Sequence, residues 1–197
     1  MAGMTSRERV QRAVSFQPVD RVPIDLGGMK ASGIGVKAYN RVKEALGIRT
    51  PTRVWDSRFM VARVEEDIMR RFHLDVLPLD VSSVADDTRP DSEWIPMTLY
   101  EGAAGLFPPG TNIGTDPDGN WVLLDENGRP TSYRMPRDGF YFDDTAFGRS
   151  GMAIDPASFR PVDGFTDEQL QRMQDRGKFL HDNTEYALLG WGGGVCF

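Results

Sequence analysis

The segment VARVEEDIMRRFHLDVLPLD constrains the fold of this chain more than any other. A helical pattern over residues 60–72 runs straight into an apolar run over residues 74–79, which is too short for another helix and suits a buried strand. Helix then strand is the rhythm of a parallel sheet, because parallel neighbours need a crossover element between them. Earlier segments fit the same rhythm. Thr5-Ser6-Arg7-Glu8 makes a capping box, and Val10, Ala13 and Val14 recur at helical spacing before Pro18 stops the helix. In FQPVDRVPIDLGG, Val22, Ile24 and Leu26 alternate as in a strand with one buried face, and Gly27-Gly28 open a loop at its end. Asp25 on that strand reads as a buried helper or as an exposed partner for Arg21.

Val36, Tyr39, Val42, Ala45 and Leu46 share one face of a second helix, which Gly47 terminates. Late in the chain, Thr166 with Gln169 caps another helix, and YALLGW over residues 186–191 is the next buried strand, running into Gly192-Gly193-Gly194. Between residues 82 and 160 the rhythm breaks. Pro108-Pro109-Gly110 and Asp116-Pro117-Asp118-Gly119 read as turns, and Glu126-Asn127-Gly128 as the turn of a β-hairpin, since Asn-Gly accepts positive φ. This stretch is expected to be a turn-rich insertion that covers one end of the main sheet without joining it. Its aromatic group, Tyr133, Phe140, Tyr141 and Phe142, reads as a small local core, a lid or a contact surface.

Composition excludes several classes. With a net charge of -6 and its Lys and Arg scattered, the chain lacks the clustered cations of a nucleic-acid binder, so a small molecule or a protein is the expected partner. The lone Cys196 excludes an internal disulfide framework and cannot by itself form a zinc site. No signal-peptide core and no membrane-length apolar run occurs, so the protein is expected in the cytoplasm. His73 at a helix end and His181 on a helix surface read as structural residues rather than zinc ligands.

Taken in order, TSRERVQRAVSFQPVDRVPIDLGG, ASGIGVKAYNRVKEALGI, the Glu65-Glu66 helix leading into FHLDVLPLD, and DGNWVLLDENGRPTSYRMPRDGFYFD resemble the N-terminal half of the uroporphyrinogen decarboxylase superfamily. Within it, the chain is more similar to the branch associated with corrinoid-dependent methyltransferases than to the haem-pathway decarboxylases. The fold this implies is α/β: one domain over residues 1–197 forming the N-terminal half of a TIM (β/α)8 barrel, with the β-hairpin insertion at about 82–160. Such a barrel takes about 250 residues, so 197 are expected to leave an open sheet edge at residues 186–191. The isolated chain is then expected to be inactive, and self-association into a homo-oligomer would cover that edge.

The resemblance also implies site residues. Asp80, at the C-terminal end of the strand over residues 74–79, is the catalytic candidate, although it could instead cap the next element. Decarboxylases of the family carry an arginine-rich RQAGRY-type motif after their first strand; here the matching positions read Gly27, Gly28, Met29, Lys30, Ala31 and Ser32, without either arginine. Gly27, Gly28 and Lys30, with Trp191 and Gly192 at the other strand end, are therefore the substrate-binding candidates. No cofactor is expected on this chain itself; the resemblance implies zinc and a corrinoid for the full-length protein, and a corrinoid protein as partner. The function this implies is methyl transfer between a corrinoid and a thiol or folate acceptor. The alternatives are decarboxylation of a tetrapyrrole or other carboxylic acid, and a non-catalytic binding module.

Overall fold

Side-chain capping hydrogen bonds start two of the helices among the described residues. The computed structural model describes residues 3–79, 89–146 and 166–190. Helix α1, Ser6–Val14, starts at the capping box: Thr5 Oγ1 accepts the Glu8 amide at 3.2 Å, and Glu8 Oε2 accepts the Thr5 amide at 2.9 Å. Helix α2, Val36–Ala45, buries Val36 and Tyr39, and Gly47 at φ +71° ends it as expected. Helix α3 covers Glu66–Arg71, and α4, Asp167–Asn183, carries the Thr166–Gln169 box. The start of α1 is tied to the end of α4, because the Arg7 amide donates to the Glu185 carbonyl and its guanidinium to those of His181 and Thr184, at 2.8, 2.9 and 2.8 Å.

The strands are short. β1 (Ile34–Gly35), β2 (Val54–Asp56) and β3 (Val61–Ala62) form an antiparallel sheet in the order β1-β3-β2. β4 (Val76–Leu79) pairs in parallel with β11 (Ala187–Gly190), Val76 opposite Ala187 and Leu79 opposite Gly190. β5 (Ile95–Thr98) and β6 (Ala104–Phe107) make one hairpin. β7 (Ile113–Thr115), β8 (Trp121–Leu124), β9 (Pro130–Met135) and β10 (Asp143–Asp144) make an antiparallel sheet in the order β10-β9-β8-β7. Gly119 and Gly128, at φ +80° and +75°, close its first two turns where the sequence places them.

This arrangement overturns the expected half of a TIM barrel. Among the described residues the parallel pairing of strands is confined to β4 with β11, the other sheets are small and antiparallel, and no barrel forms. Two local causes are visible. Residues 22–26 join no sheet; Val22 is 78% exposed, Pro23 has no amide to donate, and the Ile24 amide goes to the Asp75 carboxylate at 2.8 Å rather than to a ladder carbonyl. The helix expected over residues 60–72 begins only at Glu66, because Met60 takes φ +51° and Val61 and Ala62 are buried as β3 between β1 and β2.

The turn-rich middle is also more than a cover. One core unites Val36 and Tyr39 of α2, Met60, Ala62 and Ile68 with Phe107, Met135 and Phe142 from the supposed insertion. A backbone bridge joins Arg53 to Leu106 of β6. The expected aromatic core is thus only partly realised: Phe142 is buried, while Phe140 and Tyr141 stand 63% and 48% exposed.

Candidate functional site

A buried ionic hub sets the frame. Asp75, just before β4, has no exposed surface and accepts from Arg9 Nη1 at 2.6 Å, Arg21 Nη1 at 2.6 Å, Arg21 Nη2 at 2.9 Å and the Ile24 amide at 2.8 Å. Arg9, itself buried, grips Asp20 through Nε and Nη2 at 2.6 and 2.9 Å. Burial alone would push the Asp75 carboxyl up, but bonds from Arg21, the Ile24 amide, Ser6 and Arg9 hold it below the ordinary carboxylate range. Arg21 therefore serves Asp75 and not Asp25, whose Oδ1 instead accepts the Gly28 amide at 2.7 Å.

The hub delivers the chain to the Gly27-Gly28 turn. Gly27 sits at φ +88°, where a side chain is strained, and its amide donates to the Ser32 carbonyl at 3.1 Å. Gly28 is buried against β4: a Cβ there would lie 2.6 Å from both Val76 Cγ1 and Asp25 Oδ1. Gly28→Ala should cost about 1–3 kcal/mol, because the stiff β-branched Val76 must shift, and urea unfolding measures it. An unchanged midpoint would show that the turn has slack.

Beyond the turn, Lys30 Nζ reaches Asp56 Oδ2 at 3.0 Å, so the loop lysine is held by the end of β2. Asp56 Oδ1 accepts the Arg58 and Phe59 amides, both at 2.9 Å, which shapes the turn leaving that strand. The Arg58 guanidinium then lies over two rings, its Cζ 4.3 Å from the Tyr133 centroid and 4.8 Å from that of Phe59. The Gly27-Gly28 turn thus opens onto a charged group, Lys30, Asp56 and Arg58, backed by aromatic side chains.

Of the residues expected at a site, the structure brings Gly27, Gly28 and Lys30 together on one loop. Asp80, Trp191, Gly192 and Cys196 lie outside the described residues. His73 sits at φ +53° after α3, where its carbonyl accepts from Arg21, and His181 is exposed on α4 beside Asp182. Among the described residues no group of three His, Cys, Asp or Glu could hold a metal, and no helix is long and apolar enough to cross a membrane.

Sequence reasoning missed Asp56 and Arg58, and named Tyr133 only as one of the aromatic group of the middle stretch. Asp56-Ser57-Arg58 has the form of a side-chain-capped turn, which was a readable signal for Asp56; the stacking of Arg58 on a strand far along the chain was not. Two grooves lie elsewhere. One of about 370 Å³ runs between Pro51, Thr52 and the β5–β6 hairpin; another of about 490 Å³ is lined by Ser6, Glu66, Asp182, Glu185 and Tyr186. Neither contains a residue of the loop site. Comparison with protein-family models, curated proteins and solved structures finds no match to this chain.

Proposed function

We propose that this chain is part of a cytoplasmic enzyme of the uroporphyrinogen decarboxylase superfamily, from the branch that moves a methyl group between a corrinoid and a thiol or folate acceptor. The ordered run of segments supports the family. The observation that favours the branch is the Lys30–Asp56 pair at 3.0 Å. A tetrapyrrole bearing many carboxylates calls for a row of uncompensated cations, which arginine supplies best through its planar fork. Here the corresponding loop offers one lysine, already neutralised by a carboxylate that would repel a polyanion.

On this reading the chain supplies a wall of close-packed glycine backbone beside the loop, and a corrinoid protein is its partner. A zinc ion, where bound, would lower the pKa of an acceptor thiol and make it a nucleophile. The described residues do not form a site for it.

The test uses the natural polypeptide that carries this chain. Incubated with methylcobalamin and a thiol or tetrahydrofolate, it should cause an acceptor-dependent change in the visible spectrum, and uroporphyrinogen should be returned unchanged. Decarboxylated porphyrinogen products, or no acceptor-dependent change, would overturn the reading.

A further inference from the structure

We propose that Arg58 is the anchor of a binding site for a small organic monocarboxylate. The inference stands apart from the methyl-transfer reading. Arg9, Arg21, Arg53 and Arg134 each hold a carboxylate, with separations between 2.5 and 3.1 Å. Arg58 holds none among the described residues, although it is partly withdrawn from solvent and its Nε is buried without a hydrogen-bond partner. Leaving a buried donor unmet is unfavourable, so the site keeps the guanidinium in place against a cost.

What holds it is geometry. The Arg58 amide donates to Asp56 Oδ1 at 2.9 Å and its carbonyl accepts the Phe142 amide at 2.7 Å, so the base of the side chain is fixed from both directions. Tyr133 and Phe59 occupy the guanidinium surface, with centroids 4.3 and 4.8 Å from Cζ. Nε is sealed, while Nη1 and Nη2 have no hydrogen-bond partner among the described residues and are not fully buried. A guanidinium covered by rings with its terminal nitrogens free presents the edge that a carboxylate pairs with through two parallel hydrogen bonds.

Charge narrows the ligand further. Lys30 and Asp56 neutralise each other, which leaves Arg58 and the carboxylate of Asp144 as the other charges beside the Tyr133 ring. Asp144 sits opposite Tyr133 in the β9–β10 pair, on the same face, with its Oδ1 turned to the Ala146 amide at 3.0 Å. A neighbourhood of this balance suits a single negative charge rather than a phosphate dianion. Phe59, 48% exposed beside the guanidinium, offers an apolar surface for the body of the acid.

Benzoate is the probe. Titrated into the full chain and followed by calorimetry and by the Arg58 Nε–H resonance, it should bind saturably and shift that resonance, while chloride at equal ionic strength should not. Arg58→Gln should weaken binding by about tenfold or more, the loss expected when a charge-assisted pair is removed. Arg58→Lys, which keeps the charge and serves as a folded control, should recover only part of the affinity because it lacks the fork. The proposal is overturned by no saturable binding to the wild type, by equal affinity in Arg58→Gln, by an equal response to chloride, or by tighter binding of inorganic phosphate than of benzoate.

Discussion

Asp75→Ala should destabilise the chain by about 3–5 kcal/mol, the range seen when one partner of a buried ion pair is removed and its counter-charges are stranded. The residue has no exposed surface and takes four hydrogen bonds from Arg9, Arg21 and Ile24, so its loss removes the carboxylate between two guanidiniums and leaves Arg21 with carbonyl acceptors alone, while Arg9 keeps Asp20. Urea unfolding measures the change, and a loss under about 1 kcal/mol would mean that water replaces the carboxylate. Titration carries a second signature. The Asp75 and Asp20 carboxyls both lie below their ordinary range in the folded chain, Asp20 chiefly through its bonds with Arg9. Their contribution is complete above the unfolded value of about 3.9 and disappears as pH falls through the lower folded values. Wild-type stability should therefore drop below about pH 4, and the Asp75→Ala variant should show a shallower drop over the same window.

Phe142→Ala is the second large effect, about 3–5 kcal/mol, as for other fully buried phenylalanines. Phe142 has no exposed surface and shares its cluster with Tyr39, Met60, Ile68 and Phe107, although it lies in the stretch that reads as an insertion. Because one core spans both parts, the loss should appear as a shift of a single cooperative transition, followed by circular dichroism and by tryptophan fluorescence together. Separation of the two probes into distinct midpoints would show that residues 95–146 unfold on their own.

What was legible in the sequence was local. The two capping boxes, the glycine after α2 and the hairpin turns at Gly119 and Gly128 are each decided by a few neighbouring residues, and each appears where expected. The strand expected at residues 74–79, observed as Val76–Leu79, and its partner at Ala187–Gly190 were also readable as short apolar runs, the first interrupted by Asp75. The failures came where distant groups compete for the same backbone. Alternation over residues 22–26 implied a ladder, but the Ile24 amide prefers the carboxylate of Asp75. Helical spacing through residues 60–65 gave way to β3, whose place depends on β1 and β2 closing over it. At the site, glycines that permit a tight turn announce themselves, so Gly27 and Gly28 stood out. Arg58 did not, because its meaning lies in rings contributed by Tyr133 from another sheet.

The bonds from Arg7 to the carbonyls of His181, Thr184 and Glu185 impose an order of events on folding. They span 174 residues or more, and closing a flexible loop of that length costs on the order of 4–5 kcal/mol in chain entropy. No single hydrogen bond offsets that, so α1 cannot dock on the end of α4 until the intervening core has already shortened the path. During synthesis α1 must therefore wait for α4 before it can dock.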